Sequence, residues 1–297
     1  MEEGRTLTYG RMAALARAYG KKLEGLGIPR QTVLIVRQEP ADQLAAFLGA
    51  EQAGWVPVLG HPDLSPEGAE ELARVRQIGW IDDGTLWPGC GDAPVPAPEW
   101  CMGVLSSGST GLPKLMFRTY GSWGDFFPEQ DRKFQVDRDT LGFAEGSMSF
   151  TGNLNVWAQL LHAGATLVLA TNLRSTRWRA LLDRYPVTLL YLVPVKLKLL
   201  LQVLEKEYPF LKMVLAGSQL LDAETARALK SIFPGARSCC ITEPANWITS
   251  PGSPMRNCWP IPRAWKALSR GEGGDPGGMI YIDTPYRVDG MPRPAPW

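Results

Sequence analysis

The residues with the greatest potential for chemistry lie together in one short segment. That segment consists of Ser106, Ser107, Gly108, Ser109, Thr110, Gly111, Leu112, Pro113 and Lys114. Glycines let a backbone approach phosphate groups, hydroxyl and amide groups donate hydrogen bonds to phosphate oxygens, and lysine supplies a positive charge. The segment therefore predicts a loop that wraps a polyphosphate. Its spacing is not that of a Walker loop, and a solvated Ser/Gly turn is the alternative interpretation.

Alternating strands and helices place this loop at the end of a buried strand. Apolar periodicity predicts helices at residues 9–26, 40–53, 156–163, 177–184, 195–207 and 222–233, the last with Asp222 as N-cap. Strands are predicted at 33–37, 56–59, 101–105, 166–170, 188–193, 213–216, 237–241 and 279–283. Residues 244–278 are rich in Pro, Gly and Trp and are predicted to be irregular. The βαβ order favours an α/β fold with its site at the carboxyl ends of the strands.

Composition excludes several other classes of protein. The 297 residues are 45% hydrophobic, enough to bury a core, and their net charge of +1 favours neither nucleic acid nor an anionic membrane as partner. Five cysteines without a CxxC pair and two histidines support neither a zinc cluster nor a disulfide framework. The first residues lack a signal-peptide core, and no apolar run approaches the length of a membrane helix. We expect a soluble cytoplasmic protein.

The phosphate-loop segment resembles the signature of the adenylate-forming superfamily, which includes acyl- and aryl-CoA ligases, luciferases and peptide-synthetase adenylation domains. Further matching segments follow in the family's order between Leu7 and Gly290. The resemblance implies the ligases' large N-terminal domain, an α/β assembly of three-layer αβα sheets in two similar subdomains. These subdomains are expected at approximately residues 1–170 and 171–297.

The resemblance also implies roles for individual residues. The nucleotide and its phosphates are expected to contact Ser106, Ser107, Gly108, Ser109, Thr110, Gly111, Lys114, Gly217, Ser218, Gln219, Cys239 and Thr242. Lys114, Thr242 and Glu243 are the expected catalytic residues, with Glu243 as the Mg²⁺ ligand because a carboxylate oxygen suits that ion. Cys239 stands where the family has a tyrosine beside adenine. The alternative for Glu243 is an ordinary surface carboxylate near a strand end.

A pocket for the acid is expected from four further residues: Phe150, Gly152, Trp157 and Ala216. Phe150 is aligned with an aromatic-pocket position of the family and Gly152 with a family glycine. Aromatic side chains at helical spacing are often plain core residues, and this alternative applies to Phe150 and Trp157.

The implied function is ATP-dependent activation of a carboxylic acid, a fatty or aryl acid by expectation, to an acyl-adenylate. ATP and Mg²⁺ are the implied cofactors, and CoA or a carrier-protein phosphopantetheine is the implied acceptor. The family's small C-terminal lid domain is expected to be absent, so a separate C-terminal domain or a carrier protein is an expected partner. The alternative is a truncated or impaired remnant that binds nucleotide or acyl-adenylate, or an interaction module. Cys239, Cys240 and Met279 favour this alternative, whereas Lys114 with Thr242 and Glu243 favours the enzyme.

Overall fold

The computed structural model describes residues 6–106, 112–170, 174–219 and 221–241, and the backbone of two short strands beyond them. The α-helices in these ranges are Tyr9–Glu24 (α1), Pro40–Gln52 (α2), Pro66–Arg76 (α3), Phe127–Phe134 (α4), Thr151–His162 (α5), Ser175–Arg184 (α6), Pro194–Leu201 (α7) and Ala223–Ile232 (α8). The strands are Thr32–Ile35 (β1), Val56–Leu59 (β2), Trp80–Asp82 (β3), Leu86–Pro88 (β4), Trp100–Ser106 (β5), Lys114–Thr119 (β6), Leu141–Glu145 (β7), Thr166–Ala170 (β8), Leu189–Leu192 (β9), Met213–Gly217 (β10), Arg237–Ile241 (β11), Lys266–Leu268 (β12) and Tyr281–Asp283 (β13).

The first sheet has six strands in the order β4-β3-β1-β2-β5-β6. Its four inner strands run parallel, whereas β4 and β6 pair antiparallel at the two edges. Helix α2 connects β1 to its parallel neighbour β2, as the predicted βαβ unit requires. The β5–β6 hairpin spans the phosphate-loop segment, because its last strand pair is Ser106 with Lys114.

The second sheet has five parallel strands in the order β11-β10-β9-β7-β8. A helix connects each strand to the next along the chain. Strands β9 and β10 are buried along their whole length, because helices cover both faces of a parallel sheet. All carboxyl ends of these strands therefore lie along one edge.

Three hydrophobic clusters fill the space between the sheets and the helices. One extends across both sheets and includes Val33 and Met102 from the first sheet and Leu189 and Leu215 from the second. The second packs helices α6, α7 and α8 on the other face of the second sheet, and the third packs α3 on the first sheet. This layering confirms the predicted α/β class.

Strands β2, β8 and β11 have their predicted bounds, and Asp222 is the N-cap of α8 with its side chain accepting the N–H of Thr225. Helix α7 ends at Leu201 rather than at residue 207, and β12 lies in the stretch predicted to be irregular. The change of sheet occurs between β6 and β7. Strands β7 and β8 pair within the second sheet, and the approximate subdomain boundary near residue 170 stays a prediction.

None of the helices described by the structure has the length and apolar composition needed to cross a membrane.

Candidate functional site

The carboxyl edge of the second sheet brings together several predicted site residues. Gly217 is the last residue of β10, and Ser218 follows in the left-handed region with a φ of 68°. The Ser218 N–H donates to the carbonyl of Ile241 at 2.8 Å, and the Gln219 N–H donates to the carbonyl of Gly217 at 2.9 Å. The turn after β10 is thereby bound to the end of β11.

Two predicted catalytic residues follow that end of β11 directly in sequence. Thr242 and Glu243 lie outside the described residues, as do five residues of the phosphate-loop segment, namely Ser107, Gly108, Ser109, Thr110 and Gly111. Within the part of the chain that the structure describes, no group of three His, Cys, Asp or Glu residues is arranged to hold a metal ion. The metal-binding role of Glu243 stays a prediction.

Tyr191 on β9 connects two of the predicted glycines. A Cβ atom added at Gly152, in the first turn of α5, would overlap the Tyr191 hydroxyl, and so would one added at Gly217. Tyr191 is only 4% exposed and pairs with Leu215 of β10. The phenol therefore occupies space that two side chains would otherwise fill. Tyr191 was not selected from the sequence, because nothing local in residues 188–193 distinguishes it from other strand residues.

The other predicted pocket residues lie in different surroundings. Phe150 is the N-cap residue of α5 and is 56% exposed, whereas Trp157 is 1% exposed and belongs to the cluster shared by both sheets. The burial of Trp157 is what the core alternative expects. Ala216 packs in the cluster on the opposite face of the sheet from Tyr191. The pocket role of all these residues stays a prediction.

Phe150 also marks the place where the two sheets approach each other. Its ring packs edge-on against His61, with ring centroids 5.7 Å apart. His61 follows β2 of the first sheet, and Phe150 follows β7 of the second. The carboxyl ends of both sheets thus face a common region. No sequence signal connects two residues so far apart in the chain.

Ser106 and Lys114 flank the phosphate-loop segment on paired strands. Lys114 is exposed and Ser106 is half-buried. Just before Lys114, the Arg76 side chain donates from Nε to the carbonyl of Pro113 at 2.7 Å and from Nη2 to the carbonyl of Leu112 at 2.9 Å. Arg76 was not selected from the sequence, since a basic residue at a helix end is common on protein surfaces.

A buried ion pair lies at the same edge of the second sheet. Glu145 at the end of β7 has a side chain only 2% exposed and pairs with Lys196 of α7. Burial raises the pKa of Glu145, and the Lys196 ammonium acts in the opposite direction. Asn153 donates to the carbonyl of Ser147 at 2.9 Å and ties α5 to the turn that follows Glu145.

Cys239 lies within β11 rather than on an open surface. It is 4% exposed and belongs to the same hydrophobic cluster as Tyr191 and Leu215. Burial of this kind is typical of a small apolar side chain. Its expected place beside adenine stays a prediction.

Comparison with known proteins gives a consistent result. Residues 87–257 match the family described as AMP-binding enzyme. Pyochelin synthetase PchF of Pseudomonas aeruginosa is 28% identical over an alignment of 228 positions, which covers 67% of this chain and 12% of PchF. Phenyloxazoline synthase MbtB of a Mycobacterium species is 28% identical over an alignment of 305 positions, which covers 90% of this chain and 25% of MbtB. The chain therefore spans a quarter or less of these two relatives.

A solved structure has the same fold. O-succinylbenzoate coenzyme A synthetase (MenE) from Bacillus subtilis, in complex with AMP, superimposes with a TM-score of 0.74 at 16% identity. The match covers 96% of this chain and 66% of the synthetase.

Proposed function

Since the chain belongs to the family of AMP-binding enzymes, we propose that it activates a carboxylic acid with ATP, giving an acyl-adenylate and pyrophosphate. The observation that carries the proposal is the position of Lys114 opposite Ser106 at the end of the β5–β6 hairpin. An exposed ammonium group at this place meets the phosphates of a nucleotide bound across the carboxyl ends of the strands.

The residues of the chain contribute by positioning and by electrostatic stabilisation. Lys114 neutralises charge on the phosphates, together with the hydroxyl and amide donors of the phosphate-loop segment. The turn of residues 217–219 borders the nucleotide. Thr242 would contact the α-phosphate, and Glu243 would hold a Mg²⁺ ion through a carboxylate oxygen. The ion would supply positive charge that lowers the repulsion between the phosphates and the incoming carboxylate.

A fatty or aryl acid is the substrate class that we propose. The region around Phe150, Gly152 and Tyr191 offers aromatic and small side chains. An amino acid would need a carboxylate partner for its ammonium group, and Glu145 at this edge is already paired with Lys196. The acyl group is then transferred to the thiol of CoA or of a carrier-protein phosphopantetheine, and the similarity to a pyochelin synthetase and a phenyloxazoline synthase is consistent with the second acceptor.

Nucleotide binding without activation is the second candidate function. The burial of Cys239 in the core favours an impaired chain over a full ligase, because the family's tyrosine at that position packs beside adenine and a buried thiol holds the base less firmly. In this case the chain retains the fold and binds ATP or an acyl-adenylate only.

ATP–pyrophosphate exchange with pooled fatty, aryl and amino acids tests the proposal. We expect acid-dependent exchange in the wild type, and a decrease of about 10²- to 10³-fold in Lys114→Ala, by analogy with the loss of one transition-state hydrogen-bond donor. Lys21→Ala, which removes an exposed lysine from α1, serves as the matched control and should exchange like the wild type. ATP binding without any acid-dependent exchange would favour the second candidate.

A further inference from the structure

We infer that Arg76 is a positioning residue that holds the main chain directly before Lys114 and so sets how Lys114 meets the ATP phosphates. The inference rests on the proposed function. Its physical basis is an anchor made by one guanidinium group to two consecutive carbonyls, at Leu112 and Pro113.

The geometry of this anchor restricts the chain in two directions at once. The Nε and Nη2 donors belong to one planar group, and they engage the two carbonyls at 2.7 and 2.9 Å. A rigid fork of this kind fixes both the position and the orientation of the peptide between them. Pro113 has no N–H group to pair with β5. Strand pairing ends with Ser106 and Lys114, and the hydrogen bonds of Arg76 hold the main chain at the two residues before Lys114.

Helix α3 provides a firm base for the anchor. Arg76 is its last residue, and Gln77 caps the helix with a φ of 54° and an N–H that donates to the carbonyl of Ala73. Leu72 and Ala73 of α3 are buried in a cluster against which Leu105 and Leu115 also pack. These two leucines precede Ser106 and follow Lys114. One hydrophobic cluster therefore includes α3 and receives both arms of the hairpin, and Arg76 connects the same helix to the segment that precedes Lys114.

Arg30, which precedes β1, offers a matched control that binds the same hairpin. Its guanidinium donates to the carbonyls of Pro98 and Trp100, at the opposite end of β5 from Ser106. Arg30→Ala therefore removes the same kind of interaction from the same strand without affecting the residues that precede Lys114. A role of Arg76 in stability alone predicts that the two variants behave alike.

The first experiment compares the KM values for ATP and for the acid in Arg76→Ala, Arg76→Lys and Arg30→Ala. We expect Arg76→Ala to raise the KM for ATP by about tenfold, the equivalent of one charged hydrogen bond, and to leave the KM for the acid within about twofold. Arg76→Lys should recover part of the loss, because one ammonium group can reach one of the two carbonyls. Arg30→Ala should lower the melting temperature while leaving the KM for ATP unchanged. Equal KM values for ATP in wild type and Arg76→Ala would overturn the inference.

The second experiment separates this inference from the proposed function. Amide hydrogen exchange of β6 needs no catalysis, and we expect Arg76→Ala to speed exchange at the first amides of that strand while Arg30→Ala does not. If the wild type shows no adenylation, the proposed function and the ATP part of the inference fail together, and the exchange rates alone decide on the anchor. Unchanged exchange in Arg76→Ala would refute the anchor whatever the activity.

Discussion

Glu51 on α2 is a carboxyl group in an apolar environment. Its Oε1 atom is buried and has no hydrogen-bond partner among the described residues. Burial raises the pKa of Glu51 to about 7. Burial, followed by the charge of Glu51, also raises the pKa of the nearby Cys101 thiol to about 12, while the buried Arg118 acts in the opposite direction. The ionised form of Glu51 is therefore disfavoured in the folded protein.

This shift predicts a stability that depends on pH. The folded state binds the Glu51 proton more tightly than the unfolded state, whose pKa is near 4.5. The contribution of Glu51 to stability is therefore complete below about pH 4.5 and is lost as the pH rises through 7, by up to about 3 kcal/mol. We expect the free energy of unfolding of Glu51→Gln, measured by urea denaturation, to equal that of the wild type at pH 5 and to exceed it at pH 8.

The control for this experiment is Glu70→Gln, which changes an exposed glutamate of α3. It should follow the wild type at both pH values. A Glu51→Gln variant whose stability runs parallel to that of the wild type over this range would contradict the assignment of the titration to Glu51.

Three elements meet at Tyr191: the first turn of α5, strand β9 and the end of β10. An alanine at position 152 would direct its Cβ into the Tyr191 hydroxyl, and the next nearest atom, Cζ, is 3.3 Å away. At position 217 the ring carbons are themselves close, with Cζ at 3.0 Å and Cε2 at 3.1 Å. A side chain at position 152 would therefore clash mainly with the Tyr191 hydroxyl, whereas one at position 217 would also clash with the ring.

A double-mutant cycle tests this difference. Gly152→Ala should destabilise the protein by about 1–3 kcal/mol through overpacking, although alanine is the better helix residue. In the Tyr191→Phe background, which lacks the hydroxyl, most of that cost should disappear. Gly217→Ala should remain costly in both backgrounds, because the ring carbons stay in place. Denaturant unfolding of the single and double variants gives the coupling energies directly.

The elements that the sequence predicts well are those defined by local pattern. Strands β2 and β8 follow helices and have clear apolar runs, so their bounds were predictable. Helix α7 was predicted too long because its pattern continues, but the chain leaves the helix where Arg179 of α6 binds the Val203 carbonyl and the Glu205 carboxylate. The periodicity of apolar residues does not predict such hydrogen bonds between elements.

The candidate site shows the same division between local and distant information. Residues in the phosphate-loop segment could be selected because their types stand together in the chain. The sequence gives no reason to select Arg76, Tyr191 or His61 as site residues, since the contact that places each of them at the site is with a segment distant in sequence. Strand β6 was missed for a related reason, because its apolar run of Leu115, Met116 and Phe117 is short and its pairing with β5 depends on the turn between the two strands.

At the scale of the whole molecule, one hydrophobic cluster joins the two sheets. Trp123 lies between α2 and α5 in this cluster. Its ring packs edge-on against Phe47 of α2 at 6.5 Å and against Phe127 at 5.2 Å, and its Nε1 donates to Asn155 of α5 at 3.1 Å. Gln130 completes the network by accepting from the Asn155 amide at 2.9 Å. Apolar contacts therefore join α2 to Trp123, and buried hydrogen bonds join Trp123 and α4 to α5.

A shared core predicts that the described sheets unfold as one unit. Trp123→Ala removes the ring and leaves Asn155 without its indole donor, so we expect a loss of about 3–5 kcal/mol. Hydrogen exchange should register the same decrease in protection for amides of β1 in the first sheet and β9 in the second. Phe210→Ala changes a side chain that is 65% exposed, so it should leave the free energy of unfolding and the amide protection in both sheets unchanged. A Trp123→Ala variant that loses protection in only one sheet would mean that the two sheets unfold independently. The region between their carboxyl ends would then be held by local contacts, such as that of Phe150 with His61, rather than by the common core.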